Sequence, residues 1–130
     1  MAIEQDAKEF SAYVVDLMQS LGPVRGQRMF GGFGLFLDDL MFGLIADNTL
    51  YLKADDSNRA AFEELGLGPF VYSKQGRDFS LSYYQAPEDS LEDLELMQHW
   101  ATCAYAAALR AAAKKPQKRT KTGKKVKKTP

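Results

Sequence analysis

The sequence is nearly without two residues on which nucleophilic, metal and redox chemistry commonly rest, cysteine and histidine. Among 130 residues there is one cysteine, Cys103, and one histidine, His99. A lone cysteine excludes an intramolecular disulfide and asks for no oxidising compartment, so a cytoplasmic location is the expectation. A lone histidine removes most Ser-His-Asp arrangements. It is also the only histidine base available to Cys103, and an Ala-rich packing helix is a poor place for such a pair. The N-terminus, Met1-Ala-Ile-Glu-Gln-Asp, lacks the apolar core of a secretory signal. The longest apolar stretch, Leu40 to Ala46, is far short of the roughly 20 residues that span a bilayer, so no membrane partner is expected. Acidic residues are missing altogether after Glu95.

That last absence exposes what the chain has in abundance. The formal net charge is zero, from 17 basic and 17 acidic residues. From Lys114 onward nine residues are basic and none is acidic: Lys114, Lys115, Lys118, Arg119, Lys121, Lys124, Lys125, Lys127 and Lys128. The body therefore carries −9 and the tail +9. A single domain over 1–113 and a disordered Lys-rich tail over 114–130 is the organisation this pattern predicts. Lysines in such a tail can displace counterions from a phosphate backbone and give sequence-blind, salt-dependent binding to nucleic acid. A solubilising arm loosely attracted to the acidic body explains the same residues.

Hydrophobic periodicity divides the body into helices and strands. Phe10, Tyr13, Val14, Leu17, Met18 and Leu21 recur at helical spacing and predict a helix over Glu4–Ser20, ended by Gly22-Pro23. Val24–Met29 is a weakly patterned first strand. Phe33–Leu37, Leu40–Ile45 and Thr49–Lys53 follow as strands, parted by Asp38-Asp39 and Asp47-Asn48 turns that imply antiparallel pairing. Asp55 or Asp56 is expected to cap a short helix through Leu65. Phe70–Ser73 and Phe79–Tyr84 form a second hairpin about Lys74-Gln75-Gly76, with Phe79, Leu81 and Tyr83 pointing one way and Ser80 and Ser82 the other. Past Pro87, Ser90 is the expected N-cap of a long helix to about Ala113, with Asp93 three positions on. The fold class that results is α+β: a two-layer antiparallel sheet of five to six strands, flanked by the N- and C-terminal helices on one face.

Three constellations invite a chemical reading. Gly31-Gly32-Phe33-Gly34 resembles a nucleotide loop, but position 37 is Leu where a dinucleotide fingerprint needs a further glycine, and a strand follows instead of a helix. A pocket beside this turn is kept as a small-molecule or enzymatic alternative. Glu95, His99 and Cys103 share a helical face, yet no second His or Cys completes a zinc site, so no metal, cofactor or catalytic residue is assigned. Tyr51, Tyr72 and Tyr84 with Phe36 can form an aromatic platform on the sheet face away from the helices. Base stacking is one use of such a platform, and a protein interface or homodimer another. The acidic body argues against phosphates there, so Arg28, Phe36, Tyr51, Lys53, Tyr72 and Tyr84 are taken as a candidate protein-interaction surface.

Five ordered blocks carry a family resemblance across about Phe10 to Ala113. They are Arg28-x-Phe30-Gly31-Gly32-Phe33-Gly34, Met41-Phe42-Gly43-Leu44-Ile45, Leu50-Tyr51-Leu52-Lys53-Ala54-Asp55, Gly68-Pro69-Phe70-x-Tyr72 and Ser82-Tyr83-Tyr84-x-x-Pro87. In these the chain resembles the N-terminal domain of the TfoX/Sxy bacterial competence regulators. The resemblance implies a helix–sheet–helix domain similar to secretion-chaperone-like folds, no catalysis, and a role in transcriptional regulation of DNA uptake. Full-length members act with the cyclic-AMP receptor protein at promoters, so transcription machinery is the implied partner. They also continue into a second, helical domain, where this chain has its lysine-rich tail. The expectation is a non-enzymatic domain that works by protein contact, with nucleic-acid binding through the tail as the alternative.

Overall fold

The computed structural model describes residues 3–29 and 31–114. Helix α1 (Ile3–Leu17) tightens into a 3₁₀ turn (Gln19–Leu21) and leads into strands β1 (Arg25–Met29), β2 (Gly32–Leu37), β3 (Leu40–Ala46) and β4 (Thr49–Lys53). A short α2 (Arg59–Glu64) precedes the hairpin β5 (Pro69–Lys74) and β6 (Arg77–Gln85). A 3₁₀ turn (Glu88–Leu91) then delivers the chain to α3 (Leu94–Lys114). The strands form one six-stranded sheet in the order β1-β2-β3-β4-β6-β5, and every neighbouring pair is antiparallel.

Turn chemistry sets this meander. Asp38 and Asp39 (φ 53° and 63°), Asp47 and Asn48 (52° and 55°), and Gln75 and Gly76 (54° and 78°) are each a pair of left-handed residues. Two consecutive positive φ values twist a two-residue hairpin in the sense that right-twisted strands require. Asp, Asn and Gly tolerate that conformation better than other residues. At Gly31 (φ 77°) the turn between β1 and β2 needs the same freedom. The next residue, Gly32, is needed for space: a Cβ there would stand 2.0 Å from the Ile45 carbonyl oxygen.

Both long helices pack on one face of the sheet. Val14 and Met18 of α1, Leu35 and Leu37 of β2, Phe42 and Ile45 of β3, Leu50 and Leu52 of β4 and Met97, Ala101, Ala104 and Ala108 of α3 form a continuous buried core. Burying each large side chain contributes about 1.5–3 kcal/mol. The α3 alanines matter because they present no bulk, so the helix lies close against β3 and β4. A bulge seats the largest β3 residue: Leu35 pairs with Gly43 and Phe36 with Met41, which leaves Phe42 extra. Phe42 then meets Tyr105 edge to face at 5.7 Å.

Two expected caps differ in the structure. Asp93, not Ser90, begins α3: its carboxylate accepts the amides of Glu95 (2.9 Å) and Leu96 (3.1 Å). Ser90 is fully buried and donates to the Pro87 carbonyl at 2.6 Å, closing the preceding 3₁₀ turn. Asn58 precedes α2, and Asp55 has other work. It accepts the Ser57 amide, while the Asn58 side chain accepts the Asp55 amide. Lys114 is the last residue of α3, one position past the boundary expected at Ala113, and the rest of the basic tail lies outside the described residues.

Candidate binding surface

Alternation along β4 sorts the sheet's two faces. Leu50 and Leu52 are buried under the helices, and Tyr51 and Lys53 take the opposite face. No helix covers that second face among the described residues. Tyr51 meets the Phe70 ring of β5 at 5.0 Å, across the intervening strand β6. Tyr72, two residues on, shares the Phe70 side and is likewise half-buried. Tyr83 pairs with Lys53 across β4 and β6, with the Lys53 ammonium 5.1 Å from its ring. Burial pushes the Tyr83 hydroxyl up to about 12. Lys74 and Arg77 face one another across the β5–β6 turn, next along from Tyr72.

The six residues expected to form a surface are therefore divided. Tyr51, Lys53 and Tyr72 share the open face. Phe36 is on the same face but two strands away in β2, where the Arg25 guanidinium lies 4.8 Å over its ring. Tyr84 is on the other side. It pairs with the buried Leu52, stacks 5.5 Å from Phe62 and donates to Glu63 at 3.3 Å, so it belongs to the helix side and not to the platform. Arg28 is also opposite, 5.4 Å over Phe33, whose ring packs on the core. Phe70 and Tyr83 are open-face rings that the expected platform omitted. Strand parity on β5 would have found the first, and only the β4–β6 register reveals the second.

The electrostatics of the sheet differ from those of the body as a whole. The six strands contain one acid, Asp78, against Arg25, Arg28, Lys53, Lys74 and Arg77. Asp78 accepts a hydrogen bond from Ser73 at 2.5 Å. The other 16 acids lie on helices and turns. Among the open-face cations Arg25 is tied to Asp39 at 3.2 Å. The strands thus carry mostly cations, while the other acids sit on helices, loops and hairpin turns, from which Asp39 reaches Arg25 on the open face and Asp55 and Asp56 line a cleft with Lys53.

Two clefts flank the end of α3. One of about 370 Å³ is lined by Lys53, Asp55, Asp56, Arg59, Tyr84 and Lys114, among others, and lies away from the Gly31-Gly32 turn at which a pocket was considered. Beside it, Asp55 accepts two hydrogen bonds from Arg110, at 2.6 and 3.0 Å, tying the chain after β4 to α3. The Arg110 guanidinium holds the Asp55 carboxyl down at about 2. A second cleft, of about 250 Å³, has Lys53 and Tyr83 on its walls and Ala108 and Ala111 of α3 below. On α3 itself Cys103 is half-buried, and the His99 ring stands edge-on to Trp100 at 5.9 Å. Among the described residues no helix is long and apolar enough to cross a membrane.

Comparison with known proteins decides the family. The model of the TfoX N-terminal domain matches residues 16–108. The chain belongs to the TfoX N-terminal domain family. It is 36% identical over 73 residues to the DNA transformation protein TfoX1 of Aliivibrio fischeri, a match that covers 56% of this chain and 35% of that protein. To protein Sxy of Escherichia coli it is 29% identical over 73 residues, with the same coverage. An uncharacterized 12.7 kDa protein in the trpE 5′ region of Spirochaeta aurantia is 34% identical over 115 residues, covering 87% of this chain and 90% of that one. In the TfoX and Sxy relatives the matched domain is thus about a third of a longer protein. The match to the spirochaete protein spans nearly the whole of both chains.

Proposed function

We propose that this TfoX-type domain is a non-catalytic regulatory module of bacterial DNA transformation that acts through the open face of its sheet. The observation that carries the reading is the asymmetry of the sheet: helices fill one face, and the other presents half-buried rings of β4 and β5 that no helix among the described residues covers. Exposed apolar patches of this kind on soluble domains mark contacts. The names of TfoX1 and Sxy's family supply the biological setting, and the cytoplasm is where such a module would act. The test is complementation. A strain lacking the gene receives the full chain, Tyr51→Ala, Tyr72→Ala, or the helix-side control Leu65→Ala, and transformation frequency is scored. Loss with both face variants at normal protein level supports the reading. Full complementation by Tyr51→Ala and Tyr72→Ala together would sink it.

A second reading rests on the nine basic residues from Lys114 to Lys128, which adjoin the end of α3 without an intervening acid. These would hold nucleic acid by phosphate contacts alone. Duplex DNA binding measured against salt would then show a steep slope, close to −0.9 per phosphate neutralised. Replacing the nine by Gln should abolish that slope, and an unchanged slope excludes the reading.

A further inference from the structure

The open face carries more than apolar area. Tyr51 of β4 and Phe70 and Tyr72 of β5 are half-buried rings on one side of the sheet, and Lys53, Lys74 and Arg77 lie on that same side. No strand residue on this side is acidic. Adjacent strands are spaced by about 4.8 Å, and the register runs these side chains along three neighbouring strands, from Lys53 opposite Tyr83 to Lys74 opposite Arg77, six positions along β6. We infer that this face binds single-stranded nucleic acid, with bases stacked on Tyr51, Phe70 and Tyr72 and phosphates held by Lys53, Lys74 and Arg77. The inference rests on the reading that the open face is the working surface, and it names the partner.

Chemistry favours this occupant over the others. A second copy docked face to face would set Lys53, Lys74 and Arg77 against the same three cations on a face whose strand residues include no acid, which an isologous interface penalises. A folded duplex offers stacked bases whose faces are already covered, so rings on a sheet gain nothing from it. A single strand offers both a free π-face for each ring and a phosphate for each cation. Such binding is tolerant of sequence, since every base has a π-face.

The experiment uses the full chain in a background where every Lys and Arg from position 115 to 128 is Gln, so that the tail cannot supply the binding. Fluorescence anisotropy is measured with labelled oligothymidylate and oligouridylate of about 15 nucleotides and with a duplex of equal length. The expected result is tighter binding of the single strands than of the duplex. Tyr51→Ala and Tyr72→Ala should each weaken it about tenfold, with Tyr51→Phe near the parent. Lys74→Gln should reduce the salt slope by about one contact. The order of the two oligonucleotides distinguishes DNA from RNA as the natural strand. Equal affinity for duplex and single strand, or Ala variants that bind like the parent while circular dichroism shows them folded, overturns the inference. A dimer seen by light scattering that Tyr51→Ala dissociates, with no oligonucleotide bound, overturns it in favour of a second copy. If oligonucleotides fail to bind while Tyr51→Ala and Tyr72→Ala still lose transformation, the nucleic-acid assignment falls and the working-face reading stands.

Discussion

Asp55 shows how one carboxylate can join two ends of a chain. Its pairing with Arg110 depresses its pKa to about 2, so the folded state favours the ionised form more than the unfolded state does, near 3.9. That stability is fully present above pH 4 and drains away as pH falls toward 2. Asp55→Asn should cost about 1 kcal/mol at pH 7, in line with a partly exposed pair. Urea melts of parent and variant should converge as the pH is lowered from 4 to 2. Tyr83 behaves in the opposite sense. With its hydroxyl raised to about 12, its contribution holds below pH 10 and is lost as pH rises through 12. Absorbance titration should show one late tyrosine that Tyr83→Phe removes. Adjacent glycines separate two kinds of constraint. Gly31→Ala meets no neighbour and pays only for a left-handed backbone, about 1–2 kcal/mol. Gly32→Ala drives a methyl into the backbone of β3, so denaturant melts should show it losing more than Gly31→Ala.

At the scale of elements the two helices and the hairpins reward different properties. Helix α3 lies on the sheet because Ala101, Ala104 and Ala108 keep it close. Ala104→Leu should therefore destabilise by about 1–3 kcal/mol through overpacking, measured by thermal melt. These alanines, the α1 periodicity and the Asp-Asp and Asp-Asn turns are all local patterns, and each was legible in the sequence. Asp93 over Ser90 was harder, since both are good caps and only the intervening 3₁₀ turn separates them. The side taken by Tyr84 depends on pairing with Leu52, a partner 32 positions away in the chain. The alternation of Phe79, Leu81 and Tyr83 with Ser80 and Ser82 gives the parity of β6 but not which set lies under the helices, and the register of β6 on β4 decides that. A running total of charge is coarse for a related reason: it adds the acids of helices and turns to the cations of the strands, which the fold places in different elements.

The described residues pack around one continuous buried core with few large side chains at its centre. Phe62 of α2 is fully buried and touches Tyr84 at 5.5 Å and Trp100 at 5.0 Å, so it joins α2, β6 and α3. Phe62→Ala should cost about 3–5 kcal/mol, a large share of the roughly 5–15 kcal/mol that a domain has. Near- and far-UV dichroism should lose their signals together, at a much lower urea midpoint. The same geometry has a consequence for reach. Lys114, the last residue of α3, lines a cleft together with Lys53 at the end of β4. If both proposed contacts hold, they are joined within one chain and see each other at high effective concentration. A strand long enough to touch both would then be held with avidity, and one that touches either alone would leave quickly.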